Sequence, residues 1–316
     1  MKKRLIVTDS VADLPAEIVA KHGIHILPVN VILDGKTFKD GVDISRDEFY
    51  QNYYEYEEMS TAPVSYEDYA LEFLNLVQKY DELLIIHCSS HLSETFNTAL
   101  KVVEDFQGQH QCRVKVIDSG LASMGQGMVV MAAAQAMAAG KPLESAEGAV
   151  YATRAQMSNF MAIPTLKYLR KGKKISGLKA LFGVALGVKP VLEFEDGKLT
   201  IKDKLFGKQK NMILAMMDKI RDDIGNKPIT LAIVHAKETT PVENLKGVFE
   251  SSFNCRKIFF RQVRAVFGHQ HRSGNICGDV YQARSIEMVL NPSLVPNLCV
   301  GREIQILEIP VRIPPV

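Results

Sequence analysis

The chain reads as short apolar runs that each stop abruptly at a polar cluster. Leu5-Ile6-Val7 ends in Thr8-Asp9-Ser10, Leu83 to Ile86 ends in His87-Cys88-Ser89-Ser90, and Val114 to Ile117 ends in Asp118-Ser119-Gly120. Runs this short, alternating with stretches of helical period, predict strands at 4–7, 24–33, 83–88 and 113–117 and helices at 13–22, 65–79, 93–106 and 120–140. Such alternation argues for a mostly parallel sheet with helices on both faces. Asp34-Gly35 after Leu33 adds a hairpin signal inside that pattern. From Met128 to Ala139 only Gln135 is not apolar, and Gly140-Lys141-Pro142 follows, which predicts a buried helix with a glycine cap.

Beyond residue 143 the texture changes. The pattern predicts a helix over 143–160, a second ending at Lys171-Gly172, and strands at 188–195 and 198–203 around another turn signal, Asp196-Gly197. A helix at 208–222, a strand at 229–235, a helix at 241–252 and a strand from Arg256 to Phe267 follow. No low-complexity linker separates the halves. The expected fold class is therefore α/β, with two packed α/β lobes, residues 1–153 and 154–316, and a cleft between them.

The polar ends of the strands carry the chemistry. In open α/β sheets strand C-termini and helix N-termini converge, and the free backbone N–H groups there favour an anion. The densest such junction is Ser89-Ser90-His91-Leu92-Ser93-Glu94-Thr95-Phe96; a second hydroxyl cluster is Ser60-Thr61-Ala62-Pro63. One hydroxyl before a helix is ordinarily just a cap, and Ser45-Arg46-Asp47-Glu48 is read as a capping box only. Repetition at successive strand ends is what points to a site.

Composition narrows the field. With 38 basic and 36 acidic residues the formal charge is +2, and no basic run exceeds Lys171 to Lys174, so a nucleic-acid partner is not expected. The longest apolar run falls well short of the roughly 18 residues that span a bilayer. Met1-Lys2-Lys3-Arg4 is followed by too short an apolar stretch for a signal peptide, so a cytoplasmic location is expected. The five cysteines form no C-x-x-C pair, which suggests neither disulfides nor zinc. His269-Gln270-His271 could turn two imidazoles to one face of a strand, but no spacing supplies further ligands, and neither a metal nor another cofactor is expected.

Enzyme motifs are sparse. There is no Walker A lysine motif and no G-x-S-x-G elbow, and Gly125-Gln126-Gly127 lacks the third glycine of a dinucleotide fingerprint. Ser93 with His87 or His91 leaves one enzymatic alternative open, a serine nucleophile for acyl hydrolysis or transfer, without an acid that spacing alone can assign. No catalytic residue is assigned.

Taken in order, the motifs resemble the DegV family of bacterial fatty-acid-binding proteins. They run through Asp9-Ser10-Val11-Ala12-Asp13-Leu14-Pro15, Lys39-Asp40-Gly41-Val42-Asp43-Ile44, Ser60-Thr61-Ala62-Pro63 and Ser89 to Phe96, then Asp118-Ser119, Leu166 to Ser176 and Lys189-Pro190-Val191-Leu192. The resemblance spans about residues 5–268 and implies a single long-chain fatty acid held between the lobes. Its carboxylate would meet the hydroxyls of Thr61 and Ser93 and the backbone N–H of Glu94. The resemblance further implies a carrier, not a catalyst, which presents the carboxylate to a separate fatty-acid kinase. Phe160, Ile163, Leu166, Leu181 and Phe182, with Met161, Leu178 and Leu186, could line the tail.

Three departures stand out. Glu94 replaces the family glycine beside Ser93, and Lys204 to Lys208 stands where many members carry an arginine used in kinase docking. The closing G-T-x-T-G-P-G is replaced by Phe267-Gly268-His269-Gln270-His271-Arg272-Ser273-Gly274. Residues 1–255 hold 6 Arg and 24 Lys, whereas the 61 that follow hold 7 Arg and 1 Lys. Two explanations are open, ordinary divergence and a change of reading frame near Gly268; the frame change would account for both features and predicts that 269–316 do not pack productively against the lobes.

Overall fold

The computed structural model describes residues 2–53, 55–162, 188–206, 209–235, 242–262, 264 and 286–291. The order begins β1 (Arg4–Asp9), a 3-10 turn at Ser10–Ala12, α1 (Ala16–His22), β2 (His25–Leu27), β3 (Asn30–Leu33), β4 (Lys36–Lys39), α2 (Arg46–Gln51) and β5 (Met59–Ala62). Next come α3 (Tyr66–Val77), β6 (Glu82–His87), α4 (Thr95–Asp105), β7 (Arg113–Asp118), α5 (Ser123–Ala138) and α6 (Leu143–Ala155). The remainder is β8 (Ser158–Ala162), β9 (Val188–Glu195), β10 (Lys198–Phe206), α7 (Gln209–Ile224), β11 (Ile229–His235), α8 (Val242–Ser252), β12 (Cys255–Gln262) and β13 (Ile286–Asn291).

The first sheet is parallel, in the order β2-β1-β6-β7, with Leu5 paired to Leu83 and Leu83 to Val114. Its central strand β6 is buried along its whole length, as a strand covered on both faces must be. One face packs on α5, whose residues 123–134 are all buried, as the unbroken Ala/Met pattern predicted. Gly127 allows that helix to touch the turn after β1, since a Cβ there would fall 2.6 Å from the Ala12 carbonyl oxygen. The other face packs on α3 through Tyr69, Phe73 and Leu76.

Two expectations for this half need correction. The strand predicted over 24–33 breaks at Pro28, which has no N–H for a ladder. β2 stays in the parallel sheet, while β3 turns away into a small antiparallel sheet, β4-β3-β5, whose β3–β4 hairpin turns at Asp34-Gly35. The helix predicted over 143–160 ends at Ala155, and Ser158–Ala162 is a strand. Asn159 Oδ1 accepts from the Phe194 N–H at 3.0 Å, a tie to β9 that a helix would forfeit.

The second sheet is mixed, in the order β10-β9-β8-β13-β11-β12, with β11 and β12 parallel and the other pairs antiparallel. The β9–β10 hairpin turns at Asp196-Gly197 as predicted. β13 corrects the expectation for the chain after Gly268. Residues 286–291 lie between β11 and β8, pairing Leu231 with Leu290 and Phe160 with Met288. Part of this tail therefore completes the sheet.

Candidate functional site

The C-terminal ends of β1, β6 and β7 lie side by side, and the polar clusters read from the sequence meet there. Asp9 closes β1, and its side chain accepts from the N–H groups of Val11 at 3.1 Å and Cys88 at 3.1 Å and from Gln126 Nε2 at 3.1 Å. Its second oxygen also meets His87 Nδ1 at 2.8 Å, and His87 Nε2 meets the Tyr69 hydroxyl at 2.7 Å. Asp9 and His87 are fully buried, and burial beside Asp9 holds the Tyr69 hydroxyl protonated far above its ordinary range. This chain of bonds fixes the floor on which the Ser89–Thr95 loop rests. Sequence reasoning placed Asp9 in a strand-end cluster but missed its bond to His87, and it missed Tyr69, because 78 and 18 residues separate them from His87.

The loop itself is tight. Leu92 and Ser93 N–H both reach the Ser89 carbonyl, at 2.9 and 3.1 Å, and α4 then starts at Thr95. Ser93 Oγ lies 3.0 Å from Thr95 Oγ1 and accepts from the Thr95 N–H at 3.3 Å. Thr95 Oγ1 in turn accepts from the Val64 N–H at 3.3 Å. Val64 follows Thr61 by three residues, so this bond joins the two hydroxyl clusters singled out in the sequence. Thr61 is on β5, opposite Val31, and half-buried; it makes no hydrogen bond with Ser93 among the described residues.

Glu94 is the residue before the helix, with αR backbone and no capping bond from its side chain. Its carboxylate is exposed and accepts from Asn97 Nδ2 at 2.7 Å. The negative charge is thereby drawn along the outside of α4. His87 is committed to Asp9 and Tyr69, and His91 is exposed and makes no bond to Ser93 among the described residues, so no base attends the Ser93 hydroxyl there.

Of the tail candidates, Phe160 is buried in the core of the second sheet with Val191, Met217 and Ile220. Ile163, Leu166, Leu181 and Phe182 lie outside the described residues, as do Leu178, Leu186 and the His269–His271 segment. On the other side of the loop, the Ser89 hydroxyl donates to the Gly197 carbonyl, which docks the β9–β10 turn on the end of β6. A cleft of about 430 Å³ opens there, bounded by His91, Asp118, Arg154, Asn159 and Asp196.

A second buried polar cluster joins the halves of the chain. Asp13, in a left-handed turn, accepts from the Arg264 N–H at 2.9 Å and the Ser123 hydroxyl at 3.1 Å, and Arg46 lies 3.7 Å away. Burial raises the Asp13 carboxyl above its ordinary range against the pull of Arg46 and Arg264. Asp40 beside it is pushed up to about 6, chiefly by burial, with Arg264 and Ser10 pulling the other way. Gly41 has φ of 78°, and a Cβ there would collide with the Arg264 guanidinium.

The sequence matches a known family. The DegV family model, described as covering uncharacterised proteins, matches residues 3–274. The chain belongs to the DegV family. A DegV domain-containing protein of Caldanaerobacter subterraneus, TTE1491, is 30% identical over 270 residues, covering 85% of this chain and 95% of its own. Among solved structures, a DegV family protein from Thermus thermophilus, described for its fatty acid binding, is 25% identical with a TM-score of 0.79 over 92% of this chain and 99% of its own. DegV of Bacillus subtilis, a fatty acid binding protein, shares the fold at 20% identity, with a TM-score of 0.77 over 93% of this chain and 100% of its own. The DegV match extends past residue 268, where the motif resemblance stops.

Proposed function

We propose that this DegV protein binds one long-chain fatty acid and holds its carboxylate at the Ser93 hydroxyl, the Thr61 hydroxyl and the backbone N–H of Glu94. The observation that carries this reading is Ser93 just before α4, half-exposed, with no hydrogen bond to a base or a positive side chain among the described residues. A helix start with a neutral hydroxyl suits a carboxylate through oriented N–H groups and its partial positive charge. Burying some fifteen methylenes of a C16 tail would contribute on the order of 12 kcal/mol before ordering costs, enough to drive binding without a salt bridge. Phe160 and the candidates at 163, 166, 181 and 182 are the side chains proposed for the tail.

Neutral donors also leave the carboxylate oxygens nucleophilic. This supports the finer reading that the chain is a carrier that hands its ligand to a fatty-acid kinase in the cytoplasm and does no chemistry itself. That no described helix is long and apolar enough to cross a membrane accords with it.

The test is a binding titration with hexadecanoate on the delipidated wild type, Ser93→Ala and Thr61→Ala. Each loses a hydrogen bond to a charged group, worth about 1.5–3 kcal/mol, so affinity should fall roughly tenfold to a hundredfold; Thr61→Ala should keep its thermal midpoint, whereas Ser93→Ala also takes an acceptor from Thr95 and should lower its midpoint modestly while still folding. Equal affinities across the three proteins would overturn the site. Turnover of a simple acyl ester that vanishes in Ser93→Ala would favour the hydrolase reading instead.

A further inference from the structure

Resting on the reading of Ser93 as a carboxylate ligand, we infer that Thr95 is a positioning residue that sets Ser93 as a hydrogen-bond donor and so makes the site selective for a carboxylate. The Val64 N–H can only donate, so the Thr95 hydroxyl oxygen accepts there. The Thr95 N–H can likewise only donate, and the Ser93 oxygen accepts it. Between the two hydroxyls, 3.0 Å apart, either could be the donor.

Burial decides which. Thr95 is fully buried, and no acceptor other than Ser93 lies within reach of its proton among the described residues. Were Ser93 the donor, the Thr95 proton would be stranded in the interior, which costs more than a shared hydrogen bond returns. Thr95 therefore donates to Ser93. Ser93 then accepts twice, from the Thr95 N–H and the Thr95 hydroxyl, and both its lone pairs are engaged. Its one remaining capability is to donate its own proton, and its half-exposed position leaves room for an acceptor from outside.

A donor-only hydroxyl matches a carboxylate, which only accepts. It mismatches a fatty alcohol, whose proton would find no acceptor at Ser93. The same engagement of both lone pairs makes the Ser93 oxygen a poor nucleophile.

The test is competitive binding of tetradecanoate and tetradecan-1-ol to delipidated full-length wild type, Thr95→Val and Thr95→Ser. Wild type should prefer the acid, and Thr95→Val should lose roughly tenfold on the acid, the scale of one charge-assisted hydrogen bond, while alcohol binding stays within about twofold. In that variant Ser93 regains a free lone pair that can accept the alcohol proton. Thr95→Ser keeps the hydroxyl and should restore wild-type selectivity. Equal losses on both ligands in Thr95→Val would mean a purely structural role and overturn the inference, as would an unchanged preference for the acid. Wild type that binds neither ligand would instead refute the carrier reading, and the inference with it.

Discussion

Asp40→Asn removes a buried charge that the fold holds at a cost. Asp40 is 2% exposed, its backbone N–H is fixed to the Val29 carbonyl, and one carboxylate oxygen is buried without a partner. Burial raises its carboxyl from 3.8 to about 6, even with Arg264 and the Ser10 hydroxyl favouring the charged form. Because the folded value lies above the unfolded one, the protonated form is what the fold favours. That contribution is complete below pH 3.8 and lost as pH rises through about 6. At 1.36 kcal/mol per tenfold change in the ionisation constant, ionised Asp40 costs about 3 kcal/mol at pH 8 and about 1 kcal/mol at pH 4.5. Asparagine keeps the shape without the charge, so Asp40→Asn should be more stable than wild type by up to about 3 kcal/mol at pH 8, with the gain shrinking towards pH 4.5. Urea midpoints at the two pH values, with slopes compared to confirm that the same surface unfolds, are the assay. Destabilisation at pH 8, or a gain independent of pH, would show that Arg264 holds Asp40 as a satisfied ion pair and refute the reasoning.

Three further outcomes follow from the same contacts. His87→Phe should leave Asp9 and the Tyr69 hydroxyl each short of a buried partner and destabilise the protein by about 3 kcal/mol or more, read as a lowered thermal midpoint. Glu94→Gly should tighten fatty-acid binding by no more than about threefold at low salt, because the carboxylate it removes is exposed and already turned to Asn97; a large gain would mean that Glu94 faces the ligand. Ending the chain after Gly274 removes β13 and bares the edges of β11 and β8, so the truncated protein should aggregate; a soluble, folded product would show that residues 286–291 are dispensable.

What could be read from the sequence was local. β1, β6 and β7 announced themselves because each apolar run stops abruptly at a polar cluster, and β9–β10 because Asp196-Gly197 can form its turn with few neighbours' help. β5 was not legible: Ser60-Thr61-Ala62 has no apolar alternation and becomes a strand only by register with β3. The end of α6 was hidden for a related reason, since Asn159 prefers a strand only once Phe194 is beside it. Ser93 and Thr61 were legible as members of hydroxyl clusters. Thr95, Asp9 and the Asp13–Asp40–Arg264 cluster were not, because their roles depend on partners tens to hundreds of residues away, 251 in the case of Asp13 and Arg264.

The central claim is reversible fatty-acid binding through Ser93, and the most direct measurement is mass spectrometry of the purified protein under denaturing conditions alongside its organic extract. The account predicts an unmodified chain mass and a free long-chain fatty acid in the extract, in markedly smaller amount from Ser93→Ala. A covalent acyl adduct on Ser93, or an extract without fatty acid from protein that also binds none when it is added, would contradict it.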